Sequence, residues 1–266
     1  MSFLTLTQGD SVGKGLLKKL LGARYGGSVP ALDTLRVTYR GRSQAKLGPL
    51  PLWAQVEAVA TYRFPDHMRW EFKLTAIRLM RSSYSTAFDG TTVTELERNK
   101  VSVITDPQYV QSARTRAWAE TVFFVSPLTT DERIRVERVE EDSNAFRAYG
   151  PGEDGPVALV RLHEDGRLKE VEVERVNPVS GITQRQRLVS SGELTRVDKL
   201  IVPSMIQRYW DDELTMELTP VEVEINLALE PDAFTIQAED LLAGLDEDDE
   251  NDQDDSPPDR LVTGGE

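Results

Sequence analysis

Two histidines, His67 and His163, are all that the chain offers for imidazole chemistry, and it has no cysteine. Without cysteine there are no thiolate zinc sites, disulfide frameworks or cysteine nucleophiles. Both histidines stand among charged neighbours on strand-patterned segments, which reads as exposed sheet positions and not as a base or a metal ligand. A serine nucleophile of the elbow type needs Gly-x-Ser-x-Gly, which does not occur. The run Gly9-Asp10-Ser11-Val12-Gly13-Lys14-Gly15 has the glycines and lysine of a phosphate loop. It is one residue short, ends in Gly instead of Ser or Thr, and has no patterned strand before it. With 45 Asp and Glu in the chain, pairs such as Glu140-Glu141 and Asp211-Asp212 are expected by abundance. Both sit at predicted strand ends and read as solvated edges. No EF-hand or zincin pattern is present. The expectation is therefore a protein without catalytic residues, metal or cofactor.

What the sequence supplies instead is apolar surface in period two. In Leu35-Arg36-Val37-Thr38-Tyr39-Arg40 the odd positions are apolar and the even ones polar, the mark of a strand with one buried face. Residues 53–64 place Ala54, Val56, Ala58, Ala60, Tyr62 and Phe64 against Gln55, Glu57, Thr61 and Arg63. After the turn at Pro65-Asp66, residues 67–78 answer with Met68, Trp70, Phe72, Leu74 and Ala76. A slip of one residue would bury the charges, so register is well specified. Hairpin strands over 82–88 and 92–98 join through Asp89-Gly90, and a strand follows at 101–105. After Thr130 only strands are predicted, over 133–140, 144–149, 157–163, 168–175, 183–190, 193–200, 204–210 and 213–227. Their turns include Gly150-Pro151-Gly152, Asn177-Pro178 and Ser191-Gly192.

Two helices precede that run. Asp10-Ser11 caps one over 11–24, with Val12, Leu16, Leu17, Leu20 and Leu21 on its apolar face, and Gly26-Gly27 stops it. Asp106-Pro107 opens a second through about residue 120 or beyond, presenting Tyr109, Val110, Ala113, Ala117, Trp118 and Val122. Many short strands with tight turns and two early helices predict an α+β fold: a large curved antiparallel sheet, a half-open β-barrel, with helices covering its concave face. The expected division is an extension over 1–10, the half-barrel over 11–239, and an acidic tail over 240–266.

Charge follows that division. Of the formal −14, residues 235–266 carry −11, from 12 Asp and Glu against one Arg, which leaves −3 for residues 1–234. The folded part has none of the basic surplus that phosphate-backbone binding needs, so nucleic acid is not an expected partner. The acidic run from Asp246 to Asp259 is read as a disordered solvating tail, with docking to a protein partner as the alternative. Met1 to Asp10 shows no export signal, and the chain as written shows no lipid-attachment cysteine and no transmembrane helix.

Several stretches together resemble the LolA/LolB-like family of outer-membrane lipoprotein sorting, periplasmic carriers and receptors with a helix-covered half-barrel. They are Tyr25-Gly26-Gly27 followed by Leu35 to Gly41; the hairpin Tyr62 to Phe72; Ala87-Phe88-Asp89-Gly90; Val202 to Tyr209; Val221 to Asn226; and Pro231 to Phe234. The resemblance covers roughly residues 11–235. It implies a monomeric, non-enzymatic protein with an apolar cavity for a lipid or an acylated protein. It also implies a periplasmic location, where a genuine start at Met1 implies the cytoplasm. Family members hold the cover closed with a buried arginine, and Arg36 and Arg40 are the candidates for it.

Physics gives a separate reason for a cavity, since two helices are a modest filling for so many strands and each buried CH₂ contributes about 0.8 kcal/mol. The residues expected to line it are Leu35, Val37, Tyr39, Val56, Ala58, Tyr62, Met68, Trp70, Phe72, Tyr84, Phe88 and Trp118. The plainer reading makes the same residues ordinary core beneath the helices. The protein would then be a structural or interaction module that binds a protein partner through its surface or tail.

Overall fold

The computed structural model describes residues 7–237 except 27, 48–49, 77–79, 130, 179 and 198–199. Met1–Ile236 and Gln237–Glu266 are two separate units. The acidic run from Asp246 to Asp259, and Leu241 to Leu245 before it, lie outside the described residues.

The chain opens with the two-residue strand β1 (Gln8–Gly9) and helix α1 (Ser11–Tyr25). A meander follows: β2 (Thr34–Leu47), β3 (Leu50–Arg63), β4 (His67–Ala76), β5 (Met80–Phe88), β6 (Val93–Glu97) and β7 (Lys100–Ile104). Helix α2 (Pro107–Phe124) and a 3-10 turn (Ser126–Thr129) lead to a second meander. It comprises β8 (Arg135–Val139), β9 (Asp142–Tyr149), β10 (Val157–Leu162), β11 (Leu168–Val176), β12 (Thr183–Val197), β13 (Leu200–Trp210) and β14 (Glu213–Ile225). Among the described residues the strands form one open sheet in the order β1-β8-β9-β10-β11-β12-β13-β14-β2-β3-β4-β5-β6-β7. All pairs are antiparallel apart from β1 with β8. The fold is the expected α+β half-barrel.

Strand order explains the burial of α2. The first meander ends at β7 on one edge, and the second begins at β8 beside the other edge. The connection between them must cross the sheet, and α2 makes the crossing. It is therefore buried on all sides from Thr115 to Phe124, with Arg116, Glu120 and Thr121 as well as Ala117, Trp118, Val122, Phe123 and Phe124. A surface helix would show one apolar stripe. Tyr109, expected on the packed face, is exposed near the N-terminal end.

The alternating segments fold in the predicted register. Leu35 opposes Tyr62, Tyr39 opposes Ala58, Ala58 opposes Phe72, and Met68 opposes Phe88, so one apolar row runs across four strands. Three expectations are corrected. Ser191-Gly192 is not a turn between two strands; β12 runs on through it to Val197, and the register shifts between Ser191 and Leu194. Gly192 makes that bulge, having a φ of 73° and a backbone where an added Cβ would stand 2.1 Å from Ser204 Oγ. Val12 points outward, whereas Arg24, unremarked in the sequence, is buried with the leucines of α1. A strand does precede the phosphate-loop-like run, because Gln8–Gly9 pairs with Arg135–Val136. Anion binding at that helix end is still excluded: Asp10 Oδ1 accepts from the Val12 and Gly13 amides at 2.8 and 2.7 Å.

Candidate ligand-binding face

Eleven of the twelve residues expected to line a cavity stand together on the concave side of β2 to β5. All of them except half-buried Tyr84 are buried. Tyr39 stacks on Trp70 at 5.5 Å with planes 9° apart, Trp70 on Phe72 at 5.2 Å, and Phe72 on Tyr84 at 6.3 Å. This aromatic ladder crosses β2, β4 and β5 and is met from above by α2, whose Phe124 lies edge-on to Tyr62 at 5.5 Å. Trp118 is on the far flank of α2, where its indole donates to the Ala148 carbonyl at 3.0 Å. It joins the core of the second meander and not the ladder.

A charged cluster sits directly against the ladder. Glu120 accepts from Trp70 Nε1 at 2.8 Å, from Arg116 Nε at 3.1 Å and from Arg208 Nη2 at 3.2 Å. The side chains of Arg116, Glu120 and Arg208 are 11%, 5% and 12% exposed. Both guanidinium groups lie over the Trp70 ring, 5.1 and 5.4 Å from its centre. Arg175 approaches from β11, donating to Ser112 Oγ and Gln186 Oε1 at 3.2 Å each and lying 5.1 Å over the Trp210 ring.

The electrostatics follow from burial and from one another. Burial pushes the Glu120 carboxyl up, but the charges of Arg116 and Arg208 and the Trp70 hydrogen bond outweigh it and hold it below the usual carboxylate range. Burial, reinforced by Arg116, pushes Arg208 down to about 10. Arg175 is driven well below its ordinary value by burial and then by the like charges of Arg116 and Arg208. Such cations are costly to keep in a low-dielectric interior.

The free space beneath α2 is small, about 20 Å³, lined by Tyr39, Tyr62, Trp70, Glu120, Arg208, Ile206, Met216 and their neighbours. That holds about one water and is far short of an acyl chain. The expected hollow is thus occupied in its covered half by α2 itself. Leu74 and Tyr84 on the concave face, and Ile206 and Met216 at the wall of this space, are only partly buried against the same core. A larger cleft of about 430 Å³ lies elsewhere, between Leu32, Phe64, Pro65, Pro127 and the charged Asp33, Asp131, Glu132 and Arg133.

The remaining candidates from sequence are dispersed. His67 pairs with Asp66 at 2.7 Å and meets Phe234 edge-on, whereas His163 is exposed in a turn. Glu140, Glu141, Asp211 and Asp212 are exposed at turns. Arg36 and Arg40 do not hold the cover: they pair with Glu224 and Glu57 on the outer face, Arg36 being 42% and Arg40 70% exposed. The buried arginine that ties helices together is Arg24, whose Nη1 donates to the Phe123 carbonyl at 2.8 Å and Nε to Ile201 at 2.7 Å. Sequence reasoning missed Arg24, Arg116, Glu120, Arg175 and Arg208. The available signal was a charge on apolar parity, as in Ile206-x-Arg208-x-Trp210 and Val171-x-Val173-x-Arg175.

A family model matches residues 23–217, nearly the whole of both meanders. The chain belongs to DUF6544, a family of unknown function. No curated protein matches this DUF6544 member. Among solved structures it is similar to a LolA superfamily protein from Nitrosomonas europaea, at 12% identity and a TM-score of 0.48, over 84% of this chain and 97% of the other. A domain assigned to outer membrane lipoprotein sorting from Vibrio parahaemolyticus matches at 11% identity and 0.46, over 84% and 94%. LprF from Mycobacterium bovis matches at 10% and 0.31, over 83% and 96%. The LolA-like relation is one of structure, and no residue's role is carried across it.

Proposed function

We propose that this DUF6544 protein binds a lipid or a lipid-modified protein on the concave face of the half-barrel and performs no reaction on it. The observation that carries the reading is the aromatic ladder of the concave face together with the apolar side chains beside it that the helix leaves only partly buried. Leu74, Tyr84, Ile206 and Met216 pack against the core and keep part of their surface in solvent. An acyl chain laid along that row contributes about 0.8 kcal/mol for each CH₂ taken out of water. A longer chain reaches the covered half only by displacing α2, so the helix is the moving part of the proposal. The periplasmic location implied by the sequence resemblance belongs to the same proposal, as does a monomeric carrier.

Organic extraction of the purified full chain followed by mass spectrometry tests it, together with titration by a fluorescent fatty acid. Co-purified lipid or saturable uptake supports the reading, and absence of both removes it. The small space under α2 favours a second reading, in which the half-barrel is a packed scaffold and a protein partner binds its outer face or the acidic tail. On that reading, removing residues 246–266 abolishes partner capture and lipid uptake is nil.

A further inference from the structure

Arg116 and Arg208 meet Glu120 beneath α2, Arg175 stands close enough to feel their charges, and among the described residues the imbalance is not relieved nearby. Glu95, the next carboxylate along the concave face, takes the Tyr84 hydroxyl at 2.7 Å. Even with Glu95 included, cations outnumber carboxylates in the cluster. Hydrogen bonding is incomplete as well: among the described residues, Arg116 Nη2, Arg208 Nε and Gln186 Nε2 are buried donors without an acceptor. A buried donor left unmet is costly, and a charged one more so. A scaffold with no ligand would be better served by apolar residues at these positions.

Resting on the reading that the face takes an acyl chain, we propose that Arg116, Arg175 and Arg208 seat the anionic group of an amphiphile, a carboxylate or a phosphate. The guanidinium fork matches both anions, and each group already lies on an indole face that shields it from water. The space among them, about 20 Å³, has no room for a head group while α2 is seated, so the ligand enters as α2 moves outward and its first methylenes then lie against Ile206 and Met216. Head and tail are thus read by adjoining parts of one surface, and the ligand class is narrowed to singly or doubly charged anionic lipids.

The test holds the tail constant and varies the head. The full chain is titrated with palmitate, palmitoyl-lysophosphatidylglycerol, palmitoyl-lysophosphatidylcholine, hexadecanol and inorganic phosphate. Palmitate or the lysophosphatidylglycerol is expected to bind at least about tenfold more tightly than hexadecanol. Whichever of the two binds better tells a carboxylate head from a phosphate head, and either upholds the proposal. In Arg208→Gln and Arg116→Gln that preference falls to within about twofold. Where circular dichroism shows a Gln variant unfolded, Arg208→Lys replaces it, and the head-group preference of the unaltered chain decides without any variant. Equal binding of charged and neutral palmitoyl ligands overturns the anion seat but leaves acyl binding standing. Stabilisation by inorganic phosphate with no palmitoyl ligand bound overturns it in favour of a free-anion site, and no binding of any ligand removes both proposals.

Discussion

The indole N–H of Trp70 on β4 donates to Glu120 Oε2 on α2 at 2.8 Å, while the other oxygen of Glu120 takes Arg116 and Arg208. One carboxylate therefore links the first meander, the crossing helix and the second meander. Any motion of α2 away from the sheet must break that link, which makes Glu120 the residue whose loss is felt most widely.

Glu120→Gln leaves Arg116 and Arg208 buried without a counter-charge. A loss of about 3 kcal/mol or more in unfolding free energy is expected, read from urea denaturation at neutral pH. Trp70→Phe keeps the stack but removes one donor to a charged acceptor, and about 2 kcal/mol is expected to go by the same measurement.

Acid should act through the same carboxylate. The folded-state pKa of Glu120 lies below its ordinary value of 4.5, so the folded protein binds its proton less readily than the unfolded chain. Its contribution is present above about pH 4.5 and fades as pH falls through the depressed value. A stability profile from pH 6 to 3 is expected to drop steeply in the native protein and less so in Glu120→Gln.

Among the described residues Arg175 contacts Ser112, Gln186 and the Trp210 ring but no carboxylate, and burial drives its pKa well down. Arg175→Met is expected to leave stability unchanged or to raise it by about 1 kcal/mol, measured as the urea midpoint. A clear loss would mean that Arg175 is needed for folding.

The two arginine classes should separate cleanly. Arg36→Ala and Arg40→Ala remove exposed pairs and are expected to cost under about 1 kcal/mol. Arg24→Met strips the buried carbonyl of Phe123 and the part-buried one of Ile201 of their donor and should cost about 2 kcal/mol, read from thermal unfolding.

The half-barrel was legible because β2 to β5 are each buried on one face and written in period two, so Leu35, Tyr62, Trp70 and Phe88 name their own side. Ser191-Gly192 misled because a glycine with positive φ serves a bulge as readily as a turn. The charged cluster was hidden for a different reason. Arg116 and Glu120 are four apart on a helix, the spacing of an ordinary solvent-facing pair. Only the placement of β7 and β8 at opposite sides of the sheet, a long-range property, sends that helix through the interior and buries them. Arg175 and Arg208 stand on apolar parity, but a lone charge there equally marks a frayed strand end until its neighbours are known.

Contact between an acyl chain and the aromatic ladder can be read directly from tryptophan quenching by a bromine-labelled palmitoyl lipid. Trp70 and Trp210 lie on the concave face, and Trp53 stands on the outer face against Arg42. Saturable quenching that persists in Trp53→Phe and is lost when Trp70→Phe and Trp210→Phe are combined is the predicted result. Quenching that survives the combined Trp70→Phe and Trp210→Phe change but disappears in Trp53→Phe, or no quenching at any lipid concentration, would contradict binding on the concave face.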